Sequence, residues 1–226
     1  MSTLSLASSL LDGCIQTMHP AARVSIQALP QCPDIRLWLV EPDSMKRQFS
    51  QDEILRIQEY PAYWAFCWAS GQVLAREILA NPHWVKGKKV MDFGAGSGVV
   101  AIACVLAGAR EIIACDIDED ALLSCTANAQ LNNVTYRTHG DLFAFDEPLD
   151  LLIAADVLYD RANLPLLECF REKADHVLVA DSRIKHFDFP PYQEIGNQAS
   201  CTVPDLDELN EFRHVRLYSA GELPSL

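Results

Sequence analysis

Five residues between positions 92 and 116 have the types and spacing of a ligand-binding turn. Asp92 is followed by glycine at alternate positions, Gly94, Gly96 and Gly98, and Asp116 ends the next apolar run. The surrounding residues predict a strand before the glycines, then a helix and a second strand. Glycine has no Cβ atom, so its backbone can adopt positive φ and approach a ligand closely. Because a carboxylate at the tip of the second strand suits the two hydroxyl groups of a ribose, the unit predicts a site for a nucleoside-containing cofactor.

The spacing of the glycines distinguishes between cofactors. A dinucleotide-binding turn reads G-x-G-x-x-G/A, and its third small residue would fall on Val99. A P-loop would need Lys followed by Ser or Thr after the glycines, and these are absent. The pattern acid-x-G-x-G-x-G resembles the first motif of class I S-adenosylmethionine (SAM) methyltransferases. This resemblance implies SAM as the cofactor, with Asp92, the three glycines and Asp116 around it; the alternative is an ordinary glycine-rich turn.

Two further aspartates follow later predicted strands. Asp141 comes after the run 134–138, and Asp156 directly follows the run 149–155. Ligands of an open α/β sheet bind outside the carboxyl ends of its strands, so both are expected near the cofactor. Asp141 could accept a hydrogen bond from the adenine amino group or could be a turn residue. Asp156 should face the transferred methyl group, because the fourth strand usually lies beside the first; the alternative is an N-cap for the next segment.

An aromatic cluster precedes the glycine turn. Tyr63, Trp64, Phe66 and Trp68 fall within six consecutive positions, 63–68. We interpret Trp68 as a wall for the methionine end of SAM, because a sulfonium over an indole face makes a cation–π contact. The alternative is core packing, the commonest role of such a cluster.

The residues after the fourth predicted strand bear on the methyl acceptor. Enzymes that methylate planar amides or adenine amino groups typically have Asn/Asp-Pro-Pro-aromatic there, whereas this chain has Asp156-Val157-Leu158-Tyr159. This D-x-x-Y sequence resembles the motif of the seven-β-strand protein-lysine methyltransferases. The segment Trp68-Ala69-Ser70-Gly71 is similar to the Trp-Pro-Gly/Ser-Gly segment of that group, with Ala69 in place of proline. One branch, the electron transfer flavoprotein beta-subunit lysine methyltransferases, is similar also in the order of Tyr63-Trp64-Ala65, Gly71-Gln72, Asn81-Pro82 and Lys86-Gly87-Lys88.

The resemblance implies methylation of a protein lysine, by extension one on the beta subunit of electron transfer flavoprotein, with Asp156 and Tyr159 as catalytic residues. A lysine amine of pKa ~10.4 is almost entirely protonated at neutral pH and must lose a proton before it attacks. A carboxylate can orient the ammonium and favour attack once the amine is neutral, and Tyr159 would supply a wall or a hydroxyl contact. Two alternatives stay open: a small-molecule N-methyltransferase for a nicotinamide-like amine, and a SAM-fold protein that binds a partner without catalysis.

Composition constrains the partners and the compartment. The 226 residues have a formal net charge of -13, and repulsion from phosphates disfavours a nucleic-acid partner. The eight cysteines show no Cys-x-x-Cys pair and no metal-ligand spacing, which favours free thiols in a reducing compartment and no metal site. No apolar run approaches the ~18 residues of a membrane span, and no secretory signal is evident. We expect a cytoplasmic monomer, or a protein of the mitochondrial matrix if the chain is eukaryotic.

The order of apolar runs predicts the architecture. Strands and helices alternate through Asp181, which indicates a three-layer, Rossmann-like α/β fold with a mostly parallel sheet of seven strands and an antiparallel last strand. This methyltransferase domain would span 60–226. An N-terminal extension, 1–59, would contain a hairpin and a short helix and would pack on the core. The closing antiparallel pair is predicted at 200–203 and 213–219, after a loop marked by Pro190-Pro191.

Overall fold

The N-terminal part of the chain forms a hairpin flanked by helices. The computed structural model describes residues 3–184 and 186–221. Its first elements are α1 (Thr3–Met18), β1 (Val24–Ala28), β2 (Arg36–Val40), α2 (Pro42–Met45) and α3 (Gln51–Glu59). β1 and β2 pair antiparallel, which confirms the predicted hairpin. Ser50 and Glu53 form a reciprocal capping box that fixes the start of α3.

The remaining elements form a seven-stranded sheet with helices on both faces. They are α4 (Ala69–Ala80), β3 (Lys89–Phe93), α5 (Val99–Leu106), β4 (Glu111–Cys115), α6 (Glu119–Leu131), β5 (Arg137–His139), β6 (Leu149–Ala155), α7 (Leu166–Lys173), β7 (Ala174–Asp181), β8 (Gln193–Ala199) and β9 (His214–Ala220). The strand order is β5-β4-β3-β6-β7-β9-β8. Strands β3 to β7 pair in parallel, and β9 is antiparallel to both of its neighbours. The predicted sheet, including its antiparallel last strand, is confirmed.

Two strands differ from their predicted positions. The edge strand β8 lies at 193–199, within a stretch interpreted as a loop, and the run predicted as a strand at 200–203 instead bridges Val203 to Cys67. All seven residues of β8 are at least partly exposed, so the strand carries no apolar run that a sequence pattern could reveal. β5 begins at Arg137 rather than at Val134, because Val134 packs against the core as part of the preceding turn.

The central strands are buried on both faces. In β6, Leu151 and Ile153 pack on the side of α4 and α5, whereas Leu152 and Ala154 pack with Phe170 of α7. Strands covered on both faces read as continuous apolar runs, which explains why they were recognisable in the sequence. Their carboxyl ends meet at one edge of the sheet, where the candidate site lies.

Two asparagines join the N-terminal hairpin to α6. Asn128 accepts a hydrogen bond from the Trp38 N–H at 2.7 Å and donates to the Ser97 carbonyl at 2.9 Å. One turn later, Asn132 pairs with both the N–H and the carbonyl of Arg36, at 3.0 and 2.6 Å. The hairpin and the glycine turn therefore share a contact through α6. The boundary between an extension at 1–59 and a domain at 60–226 stays a prediction.

Three kinds of feature are absent from the described residues: membrane-spanning helices, metal-binding clusters and disulfide bonds. None of their helices is long and apolar enough to cross a membrane. No group of three or more His, Cys, Asp or Glu side chains in 3–184 and 186–221 is arranged to hold a metal ion. The eight cysteines form no disulfide.

Candidate active site

The glycine turn between β3 and α5 is fastened to the end of β4. The N–H groups of Gly94 and Ala95 both donate to the Cys115 carbonyl, at 2.8 and 3.1 Å. The Gly96 N–H donates to Asp116 Oδ2 at 2.9 Å, and the Asp118 N–H donates to the other oxygen at 3.0 Å. Burial raises the pKa of Asp116 above its ordinary value. The glycine turn and Asp116, the acid after the second predicted strand, are thus joined by a hydrogen bond.

All three glycines of the turn have positive φ, which favours glycine. Gly94 has φ of 67°, and a Cβ atom there would lie 2.7 Å from Val157 Cγ1. Gly98 has φ of 75°, and a Cβ atom there would lie 2.5 Å from the Tyr136 hydroxyl oxygen. Gly96 has φ of 52°, and the nearest atoms to a Cβ there, Gly94 O and Trp64 Cα, would be 3.9 Å away. Gly94 and Gly98 therefore pack tightly against the protein, whereas Gly96 makes no close contact at its Cβ position.

Asp92 lies beneath the glycine turn rather than on its open side. It is 2% exposed, and its Oδ2 accepts a hydrogen bond from the Ala101 N–H in the first turn of α5 at 2.9 Å. Burial, with a further contribution from the charge of Asp116, raises the pKa of Asp92 to about 7. The observed contact anchors α5, and direct contact of Asp92 with a cofactor stays a prediction.

Asp156 joins three elements at the edge of the sheet. The residue has φ of 50°, a left-handed conformation that aspartate tolerates better than most residues. Its Oδ2 accepts from the Ser70 N–H in the first turn of α4 at 3.0 Å. Its Oδ1 accepts from the Ser182 N–H at 3.1 Å and from Ser182 Oγ at 2.8 Å. The carboxylate caps α4, not the segment that follows it in sequence.

Two tyrosine side chains and one tryptophan side chain near Asp156 in the structure contact one another. The ring centroid of Tyr63 lies 5.7 Å from that of Tyr159 and 5.9 Å from that of Trp68. Trp68 Nε1 donates to the Tyr63 carbonyl at 3.0 Å, which fixes the orientation of the indole. Tyr159 is 59% exposed, and partial burial raises its pKa, so it is a neutral phenol at pH 7. The predicted residues Trp68, Asp156 and Tyr159 therefore lie in one neighbourhood.

Asp141 lies at the far end of the same edge, after β5. Its Oδ1 accepts a hydrogen bond from the Phe143 N–H at 2.8 Å, the geometry of the turn residue that was one of its two interpretations. The side chain is exposed. Contact with the adenine amino group stays a prediction.

Several polar residues near Asp156 had no role in the sequence interpretation. They are Ser70 and Ser182, which hold the Asp156 carboxylate, and Arg183, whose guanidinium lies 5.8 Å from the Trp68 ring centroid and pairs with Glu208. Ser70 stands in the Trp68-Ala69-Ser70-Gly71 segment that resembles the protein-lysine methyltransferases, so a signal existed for it. Ser182 and Arg183 follow a strand end, and no local pattern distinguishes them.

Comparisons with known proteins are consistent with this geometry. Residues 77–162 match the family model described as ribosomal protein L11 methyltransferase (PrmA). The fold is shared with a candidate RNA methyltransferase from Pyrococcus horikoshii, at a TM-score of 0.53 and 20% identity over 68% of this chain and 83% of that one. A similarity at that level of identity shows the fold alone.

Sequence relatives identify the family. The chain is 34% identical over 152 residues to the electron transfer flavoprotein beta subunit lysine methyltransferase of Rattus norvegicus, covering 63% of this chain and 60% of the rat protein. It spans about half of the mouse and human proteins of that name, 50% and 48% of their lengths. The protein of that name from Xenopus laevis is 32% identical over 171 residues, which cover 72% of this chain and 68% of the relative. The chain therefore belongs to the electron transfer flavoprotein beta subunit lysine methyltransferase family.

Proposed function

We propose that this protein is a SAM-dependent methyltransferase that methylates a lysine side chain of a protein, namely the beta subunit of electron transfer flavoprotein. The observation that carries the proposal is that Trp68, Asp156 and Tyr159 lie in one neighbourhood, next to the Val157–Gly94 contact of the glycine turn. The names of the relatives supply the candidate substrate. Neither a small-molecule amine nor a role without catalysis has comparable support.

The residues of the turn fit SAM. Gly96 is the glycine of the turn whose Cβ position meets no atom closer than 3.9 Å, and the half-buried Asp116 carboxylate lies directly beside it. We propose that Asp116 binds the ribose hydroxyls, that Gly94, Gly96 and Gly98 allow the backbone to approach, and that Asp141 accepts from the adenine amino group. When bound, SAM supplies an electrophilic methyl group on a sulfonium, and the sulfur keeps the electron pair of the broken carbon–sulfur bond.

The protein's own task is to position a neutral lysine amine. Tyr63 and Tyr159 would hold the aliphatic stem and the cationic head of lysine by packing and by cation–π contact, and Trp68 would form a wall for the methionine end of SAM. A carboxylate has about four acceptor positions, and protein donors occupy three on Asp156. The remaining position would orient the ammonium and accept its proton, which frees the lone pair on nitrogen; the neutral amine then attacks the methyl carbon as the carbon–sulfur bond breaks.

The surface beside the site suits a cationic partner. A pocket of about 270 Å³ is lined by Glu59, Asp118 and Asp120 together with Tyr60 and Trp64. No lysine or arginine is among the described residues that line it. Trp64 also lies next to the glycine turn, 3.9 Å from the Cβ position of Gly96. A protein segment with basic residues near its target lysine would be attracted to this surface.

The compartment and the oligomeric state belong to the same proposal. We propose that the protein acts as a monomer in the cytoplasm, or in the mitochondrial matrix of a eukaryote, without nucleic-acid or membrane partners. Eight free cysteines and a net charge of -13 support a reducing compartment and a partner other than nucleic acid. Cell fractionation and light scattering test these two points.

Incubation with labelled SAM and an extract of the host cell, followed by electrophoresis and mass spectrometry, tests the proposed function. We expect label on a protein of the size of the flavoprotein beta subunit, with the methyl groups on lysine. Label on nicotinamide-like amines and on no protein would contradict the substrate class. Failure to bind SAM would contradict the activity altogether.

A further inference from the structure

Asp181 and Ser182, at the end of β7, lie immediately behind Asp156. Asp181 is 1% exposed, and its Oδ1 accepts hydrogen bonds from the N–H groups of Arg183 and Ile184, both at 2.7 Å. Its other oxygen has no hydrogen-bond partner among the described residues. Burial of a carboxylate oxygen that has no hydrogen-bond partner costs free energy. The presence of an acid at this position therefore requires an explanation.

The end of β7 also holds the start of the segment that contains Asp156 and Tyr159. The Asp156 N–H donates to the Ala180 carbonyl at 2.9 Å, one residue before Asp181. The turn that the Asp181 carboxylate fixes through the Arg183 and Ile184 N–H groups therefore starts beside the backbone of Asp156.

Ser182 acts on the Asp156 side chain. Both its N–H and its hydroxyl donate to Asp156 Oδ1, at 3.1 and 2.8 Å, and the two Asp181-bound amides directly follow it in the chain. A carboxylate held by several donors has a single orientation. Ser182 thus orients the Asp156 carboxylate.

None of the ion pairs among the described residues joins the Asp181 carboxyl to a cationic side chain. Arg183 pairs with Glu208, and Arg216 of β9, opposite Asp181 in the sheet, donates to the Ile184 carbonyl at 3.3 Å. Asp156 faces it from β6, and Tyr218 faces it from β9. Burial first, and then the negative charge of Asp156, raise the pKa of Asp181 to about 6.

We propose that Asp181 and Ser182 are positioning residues for methyl transfer: Asp181 fixes the turn that carries Ser182 and adds negative charge beside Asp156, and Ser182 fixes the Asp156 carboxylate. The inference rests on the proposed function, because it assigns these two residues a part in lysine methylation. If their role were purely structural, replacing either residue would lower kcat only to the extent that it lowers the stability of the fold.

Ser182→Ala and Ser182→Thr test the orientation of Asp156, with Ser219→Ala as a matched control. Ser219 is another buried serine, and its hydroxyl donates to the Gly221 carbonyl, away from the site. We expect Ser182→Ala to lower kcat roughly 10-fold or more while KM for SAM changes less than about twofold. Threonine keeps the hydroxyl and should restore most of the rate. Wild-type kcat in Ser182→Ala, or a loss that threonine does not restore and that parallels the fall in Tm, would overturn the proposal.

Asp181→Asn tests the charge separately from the backbone contacts. The amide oxygen still accepts from the Arg183 and Ile184 N–H groups, so Tm should change little, whereas Asp181→Ala should lower it. We expect the ratio of wild-type to Asp181→Asn kcat to rise as the pH increases through about 6, because only the wild type gains a second negative charge beside Asp156. A ratio that does not change with pH would contradict the role of the charge.

Carboxyl carbon NMR provides a readout that does not depend on activity. A carboxyl group titrating near pH 6 should be present in the wild type and missing in Asp181→Asn. If the wild-type protein methylates no protein, the proposed function fails while the NMR result still reports on the pair. If the wild type is active and the variants match it in rate and pH profile, only the present inference fails.

Discussion

Gly94 is the residue at which the glycine turn contacts the Asp156–Tyr159 segment. A Cβ atom there would lie 2.7 Å from Val157 Cγ1, and the backbone has φ of 67°. Close packing and backbone conformation therefore both require glycine, whatever the ligand. This contact explains in physical terms why a glycine should directly follow the strand that ends at Phe93.

Gly94→Ala should weaken SAM binding and lower the free energy of unfolding by about 1–3 kcal/mol, the usual cost of a strained backbone position. Adding Val157→Ala should relieve the steric part and leave the conformational part. Gly13→Ala is the matched control, because Gly13 lies within α1 with no atom within 4 Å of its Cβ position. That variant should be stabilised by roughly 0.5–1 kcal/mol. Calorimetry of SAM binding and thermal unfolding measure both effects, and a harmless Gly94→Ala would refute the tight contact.

Asp92 confers a pH dependence on stability. Its pKa is raised to about 7 in the folded protein, against about 3.9 in an unfolded chain. Between these values the folded state holds a proton that the unfolded state has released, so this contribution to stability is lost as the pH rises from about 4 to about 7. Asp92→Asn keeps an acceptor for the Ala101 N–H and cannot ionise.

The stability of Asp92→Asn relative to the wild type should therefore increase between about pH 5 and about pH 7.5, by on the order of 1–3 kcal/mol. Urea titrations of both proteins at the two pH values give the difference. If the difference is the same at both, Asp92 is already ionised in the folded protein at pH 5.

At the scale of elements, α6 connects the N-terminal hairpin to the glycine turn. Asn128 is fully buried and bonds the Trp38 N–H on one side and the Ser97 carbonyl on the other. Asn132 makes the equivalent contacts with Arg36 nearer the surface. The N-terminal residues are therefore connected to the geometry of the site.

Asn128→Ala should lower the free energy of unfolding by about 1–3 kcal/mol, because it leaves buried backbone groups without partners. It should also weaken SAM binding, since Ser97 belongs to the glycine turn. In Asn132→Ala, water can replace the lost contacts with Arg36, so the loss should be clearly smaller. Chemical denaturation and calorimetry of the two variants compare them, and equal losses would contradict the special position of Asn128.

Local patterns predicted most elements but few of the contacts between them. The buried strands β3, β4 and β6 and the caps Ser50 and Asp118 were recognisable, because apolar runs and capping residues are encoded within a few positions. The edge strand β8 was missed, since its pairing with β9 depends on backbone hydrogen bonds rather than on apolar side chains. The donors to Asp156 are 86 and 26 residues distant in sequence, and no local pattern specifies such contacts.

At the scale of the whole molecule, the site lies on an acidic protein. The net charge is -13, and the pocket beside the glycine turn is lined by three carboxylates. This distribution favours approach of a cationic protein segment and disfavours phosphates. The chain spans about half of the mouse and human relatives that it matches, so substrate recognition has to be measured on this protein itself.

The most direct test of lysine methylation assisted by Asp156 is mass spectrometry of purified flavoprotein beta subunit after reaction with SAM, using wild-type protein and Asp156→Asn. We expect methylated lysine with the wild type. The variant should have kcat lowered by roughly 10²–10⁴, with partial recovery at higher pH because more lysine is then neutral without help. Asp160→Asn, at an exposed aspartate that caps the next turn, is the control and should keep wild-type kcat. Methyl groups on glutamine or on no protein, or full activity of Asp156→Asn at neutral pH, would contradict the account.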